Sequence, residues 1–131
     1  MTEMSVEEKR EYLELYALQQ ARINRYSMLS ARNADKMEKY KTQISSAMSL
    51  RDIIEDDIDK MQDKRESEIL AQKYLCGKSL EETAYMLNYS RRQVERLHLS
   101  GLENLRPSIE KVKGMGEKRE YGKNNITLRP Q

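Results

Sequence analysis

No glycine and no proline occurs in the first 76 residues of this 131-residue chain. These residues punctuate loops, so a stretch without them reads as helix almost throughout. The first helix is expected after Ser5, where Ser5 and Glu8 have capping-box spacing. Its apolar stripe runs Tyr12, Tyr16, Ile23 and Tyr26, with Gln19 interrupting. A softer stretch at 30–35, with Asn33 and Asp35 as caps, turns the chain. A second helix over 36–62 places Met37, Tyr40, Ile44, Ala47, Arg51, Ile54, Ile58 and Met61 in steps of three and four, the spacing of a coiled-coil seam. Ser45, Ser46 and Ser49 weaken its middle. The short connection predicts a helical hairpin.

Composition narrows the class. Charged residues make up 35% and hydrophobic residues 37%, with no Phe and no Trp, which fits helices that each bury one stripe. Apolar runs are too short for a membrane span, and the polar N-terminus does not read as a signal peptide, so a cytoplasmic location is expected. One Cys (Cys76) and one His (His98) supply neither an internal disulfide nor a zinc site. No nucleophile–base pair, metal cluster or phosphate-binding glycine loop can be assembled, so no catalytic residue and no cofactor is expected. The acidic run Asp52, Glu55, Asp56, Asp57, Asp59 lacks the Gly and terminal Glu of a calcium loop and reads as a solvated helix face.

Charge is uneven. Residues 1–62 hold ten Lys/Arg against twelve Asp/Glu, residues 63–87 four against five, and residues 88–131 ten against five. The last third is therefore cationic, which suits a polyanionic partner. Beyond Pro107, glycines and asparagines lie among Lys and Arg, the composition of a flexible basic tail.

The segment 63–105 carries the functional signal. Asp63 and Glu66 have capping-box spacing for a helix ending near Leu75, with Gly77 as its stop. Ser79 and Glu82 open a short helix to Leu87, and Asn88 and Tyr89 turn the chain. Ser90 and Gln93 open another helix with Val94, Leu97, His98, Gly101 and Leu105 inside. Two capped helices about a tight turn make a helix-turn-helix, with Ala84 at their crossing. The second helix presents Arg91, Arg92, Glu95 and Arg96 outward, where Arg can pair with guanine in a major groove. The expected DNA-binding residues are thus Ser90, Arg91, Arg92, Gln93, Glu95 and Arg96, with Lys78 and Ser79 as phosphate contacts. His98 is expected to be packed and hydrogen-bonded rather than catalytic, and Gly101 to permit close helix contact. Leu99 falls away from the inner face, toward the N-terminal helices or a partner.

The stretch from Glu66 to Leu105, through Glu68-Ile69-Leu70, Tyr74, Gly77, Ser79, Glu82, Ala84, Leu87, Ser90, Val94 and Leu105, resembles region four of bacterial RNA polymerase sigma factors. With its run from Tyr89 to Val94 and Leu97-His98, it is similar to small sigma-like proteins of Firmicutes phages and prophages, including ArpU-type transcriptional regulators. The resemblance implies that Arg91, Arg92 and Arg96 face the groove, that Ser90 caps the helix, and that double-stranded DNA and host RNA polymerase are partners. An acid is frequent in housekeeping sigma factors where Arg92 stands, so their promoter sequence does not transfer. The expected organisation is an all-α chain: a hairpin over 1–62 for packing or self-association, a helix-turn-helix over 63–106, and a basic tail over 107–131. A small terminase subunit and a helical adaptor that binds no DNA are the competing readings.

Overall fold

A computed structural model describes residues 3–109 of the chain. It holds five α-helices: α1 (Val6–Arg32), α2 (Met37–Asp59), α3 (Lys64–Leu70), α4 (Leu80–Leu87) and α5 (Arg91–Asn104). The Ser5–Glu8 capping box forms in both directions, at 3.1 and 2.9 Å, and starts α1. Asn33 ends α1, its side-chain amide donating to the Leu29 carbonyl at 3.1 Å. A short 3-10 turn, Ala34–Lys36, reverses the chain. The second helix then runs unbroken through the three serines.

The hairpin register is fixed by pairs across it. The Tyr16 hydroxyl donates to Glu55 at 2.6 Å, Arg51 donates to Gln20 at 3.1 Å, and the Tyr26 and Tyr40 rings meet at 5.6 Å. Tyr40, Ala47, Ile54, Ile58 and Met61 of the expected seam are buried, whereas Met37 at the hairpin tip is 42% exposed. Gln19, read as an interruption of the α1 stripe, is only 1% exposed.

α1 carries a second buried surface that its single stripe does not announce. Leu13 and Leu15 are buried, and the first half of α1 packs on the rest of the molecule as well as on α2. One apolar cluster therefore joins Tyr12, Leu13, Leu15, Ile54, Ile58 and Met61 of the N-terminal region to Leu70, Tyr74, Leu102 and Leu105. A smaller cluster of Ile69, Ala84, Val94 and Leu97 lies within the helix-turn-helix.

Three side chains, two of them assigned otherwise by local spacing, tie these parts together. Asp63 caps α3 by accepting from the Arg65 and Glu66 N–H groups, but Glu66 does not complete a capping box. Its buried carboxylate instead accepts from Ser100 Oγ at 2.7 Å and Asn104 Nδ2 at 3.0 Å, holding α3 to α5. Gly101 permits that approach, since a Cβ there would lie 3.3 Å from Glu66 Cβ and 3.4 Å from Leu70 Cγ. Asp57, read as part of a solvated acidic face, is 3% exposed. It accepts from the Tyr12 hydroxyl, and from the Ser108 N–H and hydroxyl at 2.8 and 2.6 Å. Lys9 is buried and donates to the Glu103 carbonyl at 2.8 Å, closing the C-terminal end of α5 against α1. Ser108 and Ile109, at the start of the expected tail, thus lie on the body; the tail from residue 110 on lies outside the described residues.

Candidate nucleic-acid interface

α3 continues into one π-helical turn, Ala71–Leu75, that carries Tyr74 into the core. Gly77 follows with φ of +74°, a left-handed conformation that suits glycine. The Lys78 N–H then donates back to the Gln72 carbonyl at 2.9 Å. Ser79 and Glu82 form a complete capping box at the head of α4, at 3.0 and 2.8 Å. Its backbone and side-chain hydrogen bonds from Ser79 hold the Glu82 carboxyl below its ordinary range.

Asn88 makes the turn between α4 and α5 with φ 60° and ψ 41°, a region that Asn tolerates better than most residues. The Tyr89 N–H donates to the Ala84 carbonyl at 2.9 Å, which closes α4. Ser90 Oγ accepts from the Gln93 N–H at 3.1 Å and starts α5. The Gln93 side chain makes no reciprocal bond, so Ser90 is a simple N-cap. Ala84 is 6% exposed and packs with Val94, placing the α4–α5 crossing where the sequence puts it.

α5 separates two faces. Val94, Leu97, Gly101 and Leu102 are buried, while Arg91, Arg92, Glu95, Arg96 and Leu99 are exposed. Gln93 is half-buried on the flank. Arg91 Nε donates to Glu95 at 2.9 Å, so these two neutralise each other. Among the described residues, Arg92 and Arg96 form no ion pair. They stand one helical turn apart, two uncommitted guanidinium groups on one stripe. The head of α5 also offers backbone N–H groups free of intrahelical partners.

Lys78 and Ser79 stand at the head of α4, on a different element from the arginines. Ser79 Oγ is engaged as the cap acceptor of α4. Glu81 and Glu82 lie in the first turn of α4, so its head is less cationic than that of α5. His98 lies inside α5, its Nε2 2.8 Å from the Tyr74 hydroxyl. Burial, then Lys73 and Arg10, hold its pKa below the ordinary value. A cleft of about 650 Å³ lies at the α2–α3 junction, lined by Asp57, Lys60, Glu66 and Arg106 among others. None of the α5 arginines reaches it.

Three large apolar side chains of α4 and α5 are exposed: Tyr85, Met86 and Leu99. Tyr85 on α4 is 91% exposed and Leu99 on α5 is 51% exposed. Tyr85 falls opposite the apolar side of α4 on a helical wheel, a signal present in the sequence but silent without a position for the helix. The first helix of such a motif crosses the DNA backbone, where a tyrosine hydroxyl can meet a phosphate.

Residues 63–107 match the family model described as Sigma-70, region 4, over about a third of the chain. No curated protein and no solved structure matches the chain. The segment is a sigma region 4-like helix-turn-helix of the DNA-binding kind. Among the described residues, no helix is long and apolar enough to cross a membrane.

Proposed function

We propose that this chain is a sequence-specific transcription regulator that binds double-stranded DNA through α5 and acts with host RNA polymerase. We place it with phage or prophage regulators of the ArpU type, working at the nucleoid of a bacterial host. The observation that carries the reading is the pairing of a sigma region 4-like helix-turn-helix with Arg92 and Arg96 on the open face of its second helix. In this scheme Arg92 and Arg96 read guanine edges, the Arg91–Glu95 pair and Gln93 flank them, Ser90 sets the helix, and Lys78 and Ser79 hold phosphates.

Recruitment suits the N-terminal region better than stand-alone promoter melting, which needs exposed aromatics. Its four tyrosines are occupied: Tyr12 and Tyr40 are buried, Tyr16 is bonded to Glu55, and Tyr26 packs on Tyr40. The hairpin is then a platform for RNA polymerase or for a second copy of the chain.

The test is a salt titration of binding to a selected site and to a scrambled duplex. Arg92→Ala and Arg96→Ala should each lose about 1–3 kcal/mol of discrimination between the two duplexes. Lys78→Ala should weaken both alike and lower the salt slope by about one unit. Equal losses on both duplexes would reduce the arginines to backbone clamps, and a wild-type chain that binds no duplex would overturn the reading. Retention of RNA polymerase on the immobilised full chain checks the transcriptional part. A closed ring of many copies without polymerase would favour DNA packaging instead.

A further inference from the structure

Leu99 is 51% exposed and belongs to neither apolar cluster. It touches no core, yet it sits in the middle of the helix that carries the arginines. Arg92, Arg96 and Leu99 recur at helical spacing and form one exposed stripe. At 1.5 Å per residue, Leu99 lies about 10 Å along the axis from Arg92, roughly three base-pair steps. Glu103 is the next exposed residue on that stripe, and its carboxylate repels phosphate, so the DNA-compatible surface ends between Leu99 and Glu103.

An isobutyl group on such a stripe can neither donate nor accept a hydrogen bond. The major groove offers one apolar group to match it, the C5 methyl of thymine. We propose that Leu99 is a specificity residue of the DNA interface, packing on a thymine methyl within about three base pairs of the guanines read by Arg92 and Arg96. This rests on the DNA-binding reading above. It adds a base type that hydrogen-bond donors alone do not select. Charge complementarity from the two arginines on the same stripe favours DNA over a protein as the occupant.

The experiment uses the full chain and a duplex selected by it from a random pool. Each thymine of the selected site is replaced singly by uracil, which deletes the methyl group and leaves the base pairing unchanged. For the wild type, one replacement near the guanines should weaken binding about fourfold, the value of one buried methyl-sized group. Leu99→Ala should bind the thymine duplex about as weakly as the wild type binds that uracil duplex, and should no longer tell the two apart. Leu99→Met should keep most of the preference. Because Leu99 is exposed, the circular dichroism melt of each variant should match the wild type. Binding that tolerates uracil at every position, or a uracil penalty that persists undiminished in Leu99→Ala, would overturn the proposal while leaving DNA binding intact. Normal DNA affinity of Leu99→Ala with loss of a protein partner would assign the residue to that partner instead. A wild-type chain that selects no duplex would remove the parent reading and this one together.

Discussion

Asp57 concentrates three hydrogen bonds on one buried carboxylate, drawn from α1 through Tyr12 and from the segment after α5 through Ser108. A bond to a charged acceptor is worth about 1.5–3 kcal/mol net. Asp57→Asn keeps the shape but loses the charge and one acceptor, so urea unfolding should show a loss of about 2 kcal/mol. Tyr12→Phe should lose about 1 kcal/mol, and an unchanged midpoint for both would mean that the carboxylate is structurally idle. His98 acts through its proton. Its pKa is held below the ordinary value by burial, then by Lys73 and Arg10, so the unfolded chain takes up a proton there more readily than the native one. The stabilisation linked to His98 is therefore complete above pH of about 6.5 and is lost as pH falls through the lowered native value. Melting temperatures measured from pH 7.5 down to 5 should fall, and His98→Leu should flatten that slope. A slope unchanged by the substitution would place the titration elsewhere.

Helix starts are local events, and they are the most legible part of this chain. Ser5 with Glu8 and Ser79 with Glu82 form complete boxes because every partner lies within three residues. Asp63 and Ser90 cap their helices without the reciprocal bond. For Glu66 the reason is tertiary: Ser100 and Asn104, brought up by α5, claim its carboxylate. Lys9 and Asp57 were illegible for the same reason, since their partners lie 94 and 51 residues away. The π-helical turn at Ala71–Leu75 has no compositional mark at all. Within the site, the exposure of Arg92 and Arg96 follows from helical period once the apolar face of α5 is known, whereas the isolation of Leu99 from the hairpin needed the fold. The α4–α5 crossing yields a direct test. Ala84 is 6% exposed against Val94 and its neighbours, so Ala84→Leu should cost about 1–3 kcal/mol by overpacking. Thermal melting checks this, and undiminished stability would misplace the crossing.

At the scale of the whole molecule, the larger cluster crosses the boundary at residue 62 that the helix pattern and the Asp63 cap suggest. Removing residues 1–62 uncovers Leu70, Tyr74, Leu102 and Leu105, which pack with Tyr12, Leu13, Leu15, Ile54 and Ile58. Burial of each large apolar side chain contributes about 1.5–3 kcal/mol, so four together match the entire stability of a small domain. A chain of residues 63–131 should therefore keep partial helix signal but lose its cooperative melt, as circular dichroism would show. A sharp transition near that of the full chain would make the helix-turn-helix independent of the hairpin. The shared cluster also sets a timetable for synthesis on the ribosome. A helical hairpin can close within microseconds of its last residue, but Leu105 is added 43 residues after residue 62, roughly 2–9 s later at ordinary elongation rates. For most of those seconds the apolar flank of the nascent hairpin has only Leu70 and Tyr74 as native partners, with Leu102 and Leu105 not yet made, and that interval is when the growing chain is most open to a chaperone or to a neighbouring copy on the same message.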